Sequence, residues 1–269
     1  MDLVTIPYQF LTSLCHTVYK PKLFNDVHAY VMFIGYPRSG HTLVGFLLDA
    51  HSNVVVASQT TALRYLKHGF GVQQTFHVLT EDARRVAKTG REERRYAYDV
   101  PNQWQGRFDR IKVIGESTGL TRLRRNPSLL KSLREKLKDI DLKLIHVIRN
   151  PYDNISTMKM RSGESLPESI QRYFSMCEIV ERMKTQVAPG AVYDLKHEAL
   201  ITDPTNTLKD LCGFLGLSAG EDYLKDCASI IFKSAHKTRS DVEWNREVIA
   251  SVQQRMVNHP FLASYNYDD

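Results

Sequence analysis

The sequence predicts an α/β fold: a parallel β-sheet flanked by helices, in a single domain spanning residues 1–269. Three observations predict it. Short apolar runs rich in β-branched residues recur along the chain and read as strands buried on both faces. Helix signals lie between them, and strands that alternate with helices pack as a parallel sheet covered on both sides. No internal repeat, low-complexity tract or Gly/Ser linker divides the chain.

The first strand is Tyr30–Gly35 (YVMFIG), followed by a helix from about Thr42 to Ala50. NVVVAS (53–58) is a second short strand, RIKVIGES (110–117) and LKLIHVIRN (142–150) are two more, and AVYDL (191–195) makes a fifth. Asn126-Pro127 opens a helix whose Leu129, Leu130, Leu133 and Leu137 share a face, and Asn150-Pro151 opens another that runs to about Met160. Ser165 and Pro167 start a long helix carrying Ile170, Tyr173, Phe174, Cys177, Val180 and Met183. Asp203-Pro204 starts a further one, with Leu208, Leu211, Cys212 and Leu215 on one face and Gly216 as its stop. Residues 61–109 interrupt this rhythm: they are polar, charged and helical in flavour. They read either as a substrate-side insertion or lid, with Tyr96, Tyr98, Trp104 and Phe108 lining a pocket, or as ordinary surface and core packing.

Composition narrows the function classes. At 269 residues and 42% hydrophobic, the chain can bury one large core. No run of 18 apolar residues exists, so no membrane span is expected. The start, MDLVTIPYQFLTSLCHTVYK, lacks a basic n-region and a cleavage site and reads as mature protein. The four cysteines form no CxxC pair, and Cys177 and Cys212 fall on apolar helix faces, as reduced core thiols of a cytoplasmic protein do. The ten histidines include no HExxH, so no metal site is expected. Net charge is +6, and residues 121–140 hold Arg122, Arg124, Arg125, Lys131, Arg134, Lys136 and Lys138 against Glu135 and Asp139. Such a surface suits an anionic membrane or a small polyanionic ligand, or is simply solvated; no nucleic-acid motif accompanies it.

Pro37–His41 connects the first strand to the first helix. Ser39 and Gly40 permit a tight turn with inward N–H groups, the helix N-terminus adds positive potential, and Arg38 supplies a charged fork; together they suit phosphate or sulfate. An ATP or GTP loop ends in Gly-Lys-Ser/Thr, whereas this one ends Gly40-His41-Thr42 without the lysine.

YPRSGHTL resembles the 5′-phosphosulfate loop of the PAPS-dependent sulfotransferases, written PRSGTTL or KTSGTTW (PAPS is 3′-phosphoadenosine 5′-phosphosulfate). The resemblance continues through LLDAHSNV, through LIHVIRNPYDNIST, similar to the family's 3′-phosphate strand–loop–helix, and through LKHEALITDPTNTLKDLCGFLGL. It is weak in HKTRSDVEW and the last residues, and absent from about 61–109 and the first 25. It implies a P-loop NTPase-like sulfotransferase fold, with PAPS as cosubstrate, PAP as product and no metal. The acceptor would be a small-molecule or glycan hydroxyl or amine. Arg38, Ser39, Gly40, His41, Thr42 and Leu43 would cradle the phosphosulfate, with Arg38 stabilising the departing charge. Arg149 would hold the 3′-phosphate together with a hydroxyl eight positions on, which lands on Thr157, with Ser156 as second choice. His197 stands where the family has an adenine-stacking tyrosine, and Lys237 and Arg239 lie in its nucleotide-covering loop. The family's bases are missing: the stretch matching GEET reads Ala57-Ser58-Gln59-Thr60, and Ser117 replaces the KTHLP histidine. Glu116 is the first candidate for the proton acceptor and His41 the second. A magnesium-dependent kinase-like phosphotransferase, and a PAP-binding protein without catalysis, are the alternative readings.

Overall fold

The computed structural model describes residues 2–90, 92–93, 96–117 and 129–269. Its helices are α1 (Asp2–Tyr19), α2 (His41–Asp49), α3 (Ala62–Lys67), α4 (Val72–Thr89), α5 (Leu129–Leu137), α6 (Pro151–Ser162), α7 (Leu166–Lys184), α8 (His197–Thr202), α9 (Pro204–Phe214), α10 (Glu221–Ser229) and α11 (Arg246–Met256). The strands are β1 (Ala29–Gly35), β2 (Val54–Ala57), β3 (Glu92–Glu93), β4 (Tyr96–Ala97), β5 (Val113–Glu116), β6 (Asp141–Ile148) and β7 (Val192–Lys196).

Among the described residues the main sheet has five strands in the order β2-β5-β1-β6-β7. Every neighbouring pair is parallel, as the alternation of strands and helices predicts. All seven residues of β1 are buried, because both of its faces are covered. Ala29, Val31 and Phe33 pack beneath α2, α9 and α10, while Tyr30, Met32 and Ile34 pack against α4, α5 and α7. A third apolar cluster joins Tyr36, just past β1, and Ile148, the last residue of β6, to α6, α7, α11 and the C-terminal tail. Gly115 is where β5 comes closest to β1: an added Cβ would lie 2.0 Å from the Val31 carbonyl oxygen. Only glycine fits there.

The chain leaves β1 for β2, returns to β5 beside β1, and then crosses to β6 on the other side. The order therefore reverses between β1 and β6, and the loops that follow these two strands flank a crevice at their carboxyl ends. Open parallel sheets bind ligands at such a switch point.

The helix anticipated from Asn126-Pro127 is seen from Leu129, with Leu130, Leu133 and Leu137 buried. Its expected start lies outside the described residues, as do Arg122, Arg124 and Arg125 of the basic stretch. Within 61–109, α3 and α4 cover one face of the sheet, packing Ala62, Leu63, Phe76 and Leu79 onto it. Of the four aromatics there, Tyr98 is half-buried at the crevice, Phe108 packs onto the core and Trp104 is exposed. The side chain of Tyr96 lies outside the described residues.

Candidate functional site

Two turns follow from the motif residues after β1. Asp49, buried at the end of α2, accepts from Val56 N (3.0 Å) and Gly106 N (3.1 Å), which fixes the turn into β2. His51 accepts from Asn53 N through Nδ1 and therefore donates through Nε2 to the Ser218 carbonyl, both at 3.0 Å. These contacts set the tilt of α2 and so aim its N-terminus at the crevice.

That N-terminus carries no side-chain cap, because the N-cap residue is Gly40, at φ 99°. Its first-turn N–H groups therefore present positive potential to whatever lies ahead of the helix. Arg38 itself adopts φ 72°, a left-handed backbone that bulky residues rarely take. Ahead lies a cavity of about 770 Å³, in the size range of small-molecule and cofactor sites. Tyr36, Pro37, Arg38, Gly40, His41, Thr42 and Leu43 all line it. Ser39 does not; its side chain is buried, and its Oγ has no hydrogen-bond partner among the described residues.

Arg149, at the end of β6, lines the same cavity and is almost wholly buried. It donates to Thr157 Oγ1 (3.2 Å), to Thr238 Oγ1 (2.9 Å) and to the His236 carbonyl (2.7 Å), so it joins α6 to the loop before α11. A longer contact, 3.5 Å, reaches the carbonyl of Arg38. Asn154 on α6 also donates to the Pro37 carbonyl (2.9 Å), which ties the two loops together. At α6 the N-terminus is capped: Asn150 accepts from Tyr152 N. There an anion would be met by the Arg149 side chain and its hydroxyl neighbours, not by open backbone N–H groups.

The two hydroxyls weighed beside Arg149 separate clearly. Thr157 lines the cavity and touches Arg149, whereas Ser156 is buried on another side of α6 and accepts from the Trp244 indole (3.0 Å). Arg239 is not at the cavity either. It forms a buried bidentate pair with Asp153 (2.7 Å at the closer oxygen) and donates to the Asn266 and Tyr267 carbonyls. Lys237 is exposed and absent from the lining, while its neighbours Ser234, His236, Thr238 and Asp241 belong to it.

His197 lines the cavity and packs so closely on Gly40 that an added Cβ there would lie 2.5 Å from its ring. Burial, and then the neighbouring Arg149 charge, push this imidazole down to about 4, so it is neutral at pH 7. Its Nδ1 is buried without a hydrogen-bond partner among the described residues.

The proton acceptors expected at Glu116 and His41 are placed differently. Strand alternation sets Glu116 opposite Met32, on the face covered by α3 and α4. There it is fully buried, and Oε2 accepts from the Ala62 backbone N–H. Glu116 does not line the cavity; the next residue, Ser117, does, and so does His41. No cluster of His, Cys, Asp or Glu able to hold a metal is found among the described residues.

The arrangement brings Arg38, Arg149 and Arg161, three imidazoles and several hydroxyls to one cavity, with Asp241 as its acidic residue among the described ones. It is built to take a polyanion. Sequence reasoning named Tyr98 as a pocket aromatic but missed Thr238, His236, Phe232 and Arg161 there; of these four, His236 and Thr238 stood inside a quoted motif, HKTRSDVEW.

A family model described as the sulfotransferase family matches residues 31–221, from β1 into α10, and so includes both anion-facing loops. Among solved structures, the sulfotransferase domain of the olefin synthase from Synechococcus PCC 7002 is similar at 13% identity and a TM-score of 0.54, covering 86% of this chain and 94% of that one. The sulfotransferase domain from the curacin biosynthetic pathway is similar at 12% identity and a TM-score of 0.51, covering 89% of this chain and 99% of that one. At these identities the likeness is one of fold. No curated protein matches the chain.

Proposed function

The chain belongs to the sulfotransferase family, and from that premise we propose that it moves the sulfuryl group of PAPS to a hydroxyl or amine of a small-molecule or glycan acceptor, in line and without a metal. One observation carries the reading. Two anion-suited elements, the uncapped N-terminus of α2 with Arg38 and the Arg149–Thr157–Thr238 cluster, face the same cavity. A donor with a 5′-phosphosulfate and a 3′-phosphate asks for two such elements.

In this reading the loop 38–43 receives the phosphosulfate, and Arg149 with Thr157 and Thr238 receives the 3′-phosphate. PAPS supplies an activated sulfuryl group. As its S–O bond to the phosphate breaks, Arg38 and the α2 N-terminus stabilise the charge that builds there. His197, neutral and packed on Gly40, offers an unpartnered ring nitrogen to the bound anion or nucleotide. The acceptor's proton goes to His41, whose imidazole lines the cavity.

Thermal unfolding with PAP, ATP and GTP, each with and without magnesium, tests the donor assignment. PAP alone raises the midpoint in this reading, and the absence of such a rise overturns it. A larger rise with magnesium and ATP turns the assignment to a kinase-like phosphotransferase. Transfer of label from PAPS to a panel of alcohols, amines and sugars then tests the chemistry. His41→Gln keeps the PAP response and lowers turnover by roughly 100-fold or more, while Glu116→Gln leaves turnover near the parent's. The reverse pattern returns the proton to Glu116, and PAP binding with no transfer to any acceptor makes the chain a nucleotide-binding protein.

A further inference from the structure

Helix α1 is turned inside out. Between Leu3 and Tyr19 it holds no Asp, Glu, Lys or Arg. Its inward face starts apolar, with Ile6 and Phe10 against Tyr65, Phe70 and Val78, and then becomes polar. Ser13 meets Gln74 (3.3 Å), and His16 stacks on His77 with ring centroids 3.9 Å apart. The Nδ1 atoms of both histidines are buried without a hydrogen-bond partner among the described residues. The outward face is the apolar one: Tyr8 is 68% exposed, Leu11 62%, Leu14 45%, Val18 71% and Tyr19 84%. Exposed Cys15 lies among them. A helix apolar on its solvent side is covered by something in use.

Area and charge decide what covers it. A helix of 18 residues is about 27 Å long and roughly 10 Å wide, so one face offers on the order of 300 Å², well short of the roughly 800 Å² per partner of a stable protein interface. A lipid surface needs no such area, because a single apolar helix face sinks into the headgroup boundary on its own. The charges that follow are of the matching sign. Exposed Lys20 and Lys22 close the helix, Tyr8 and Tyr19 stand at the two ends of the stripe, and the whole chain carries +6. Tyrosine rings and lysines flanking an apolar band are what a membrane interface selects.

We propose that the outward face of α1 docks on an anionic lipid surface, with Leu11, Leu14 and Val18 in the acyl boundary and Lys20 and Lys22 at the headgroups. The helix lies on the surface and does not cross it: among the described residues none is long and apolar enough to span a membrane. This docking is independent of the sulfuryl-transfer reading.

Flotation of the full chain with phosphatidylcholine vesicles, with and without phosphatidylserine, tests it at low and high salt. The chain floats with the phosphatidylserine vesicles, and salt weakens the association. The double substitution Leu11→Glu and Val18→Glu reduces binding by about tenfold or more, and each of Lys20→Gln and Lys22→Gln by about fivefold. These side chains face solvent, so the variants keep the parent's unfolding midpoint, which separates lost docking from lost folding. Failure to float with either vesicle overturns the proposal, and so does flotation indifferent to the double substitution. Dimerisation in sedimentation velocity that the double substitution abolishes, in a chain that does not float, assigns the face to a second copy instead.

Discussion

Arg38 sits at φ 72°, where a side-chain-bearing residue costs roughly 1–2 kcal/mol relative to the right-handed region. Glycine takes that conformation freely. The loop thus keeps a strained arginine where a glycine would be easier, which points to the guanidinium as the reason. Arg38→Gly should therefore leave stability within about 1 kcal/mol of the parent while lowering sulfuryl transfer by roughly 100- to 1000-fold. Near-parental turnover in the variant would reduce Arg38 to a turn former; unfolding midpoints and initial rates decide it. The sequence made Arg38 visible as a charge beside Ser39-Gly40, but no local pattern told that its backbone was left-handed. Thr157 and Ser156 show the same limit from the other side. Counting eight residues from Arg149 picked the one that touches it, while the occupation of Ser156 by Trp244, 88 positions away, left no trace in spacing.

At the scale of elements, the edge strand β7, in which only Leu195 is buried, was legible from the shorter run AVYDL, whereas β1 and β2 were legible because strands buried along their whole length read as unbroken apolar runs. The same property hid the orientation of Glu116. In a strand buried all round, hydrophobicity does not alternate, so only the register with β1 tells which face a side chain takes. Helix α1 escaped for a related reason: apolar residues on its outward side blur the one-sided period that marks a surface helix. Arg239, read as a nucleotide contact, instead clamps the loop before α11 to α6 through Asp153. Both side chains are buried, so removing one leaves an uncompensated charge. Arg239→Ala should cost about 3–5 kcal/mol in denaturant unfolding. It should also weaken PAP binding, because the clamp holds Thr238 beside Arg149. Replacing both partners, Asp153→Leu with Arg239→Met, should recover much of the stability. A single variant as stable as the parent would mean that the pair holds nothing together.

At the scale of the whole molecule, three histidines in different places share one property. His77 lies between α4 and α1, His146 on β6 under the C-terminal tail, and His197 at the cavity, and each is pushed from 6.5 down to about 4, chiefly by burial. His146 is the clearest: it has no exposure, its Nδ1 meets Asp194 at 2.9 Å and its Nε2 meets the Tyr36 hydroxyl at 3.3 Å. The unfolded chain takes up protons near pH 6.5, whereas the folded chain resists until about 4. Between those values the unfolded state binds more protons, so stability falls as pH falls. Above 6.5 the contribution is whole, and below about 4 it is spent. The slope is about 1.4 kcal/mol per pH unit for His146 alone, or on the order of 3 kcal/mol across the window. His77 and the partly exposed His197 add to the same slope by less. Urea unfolding at steps from pH 7.5 to 4 should therefore show a steady loss of stability that begins near 6.5, not near the carboxylate range. His146→Gln should start less stable at neutral pH, because Gln fits neither partner as well, yet lose less on acidification. An unchanged slope in that variant would place the acid sensitivity elsewhere, and a flat profile down to pH 5 would mean that the buried rings accept protons without cost to the fold.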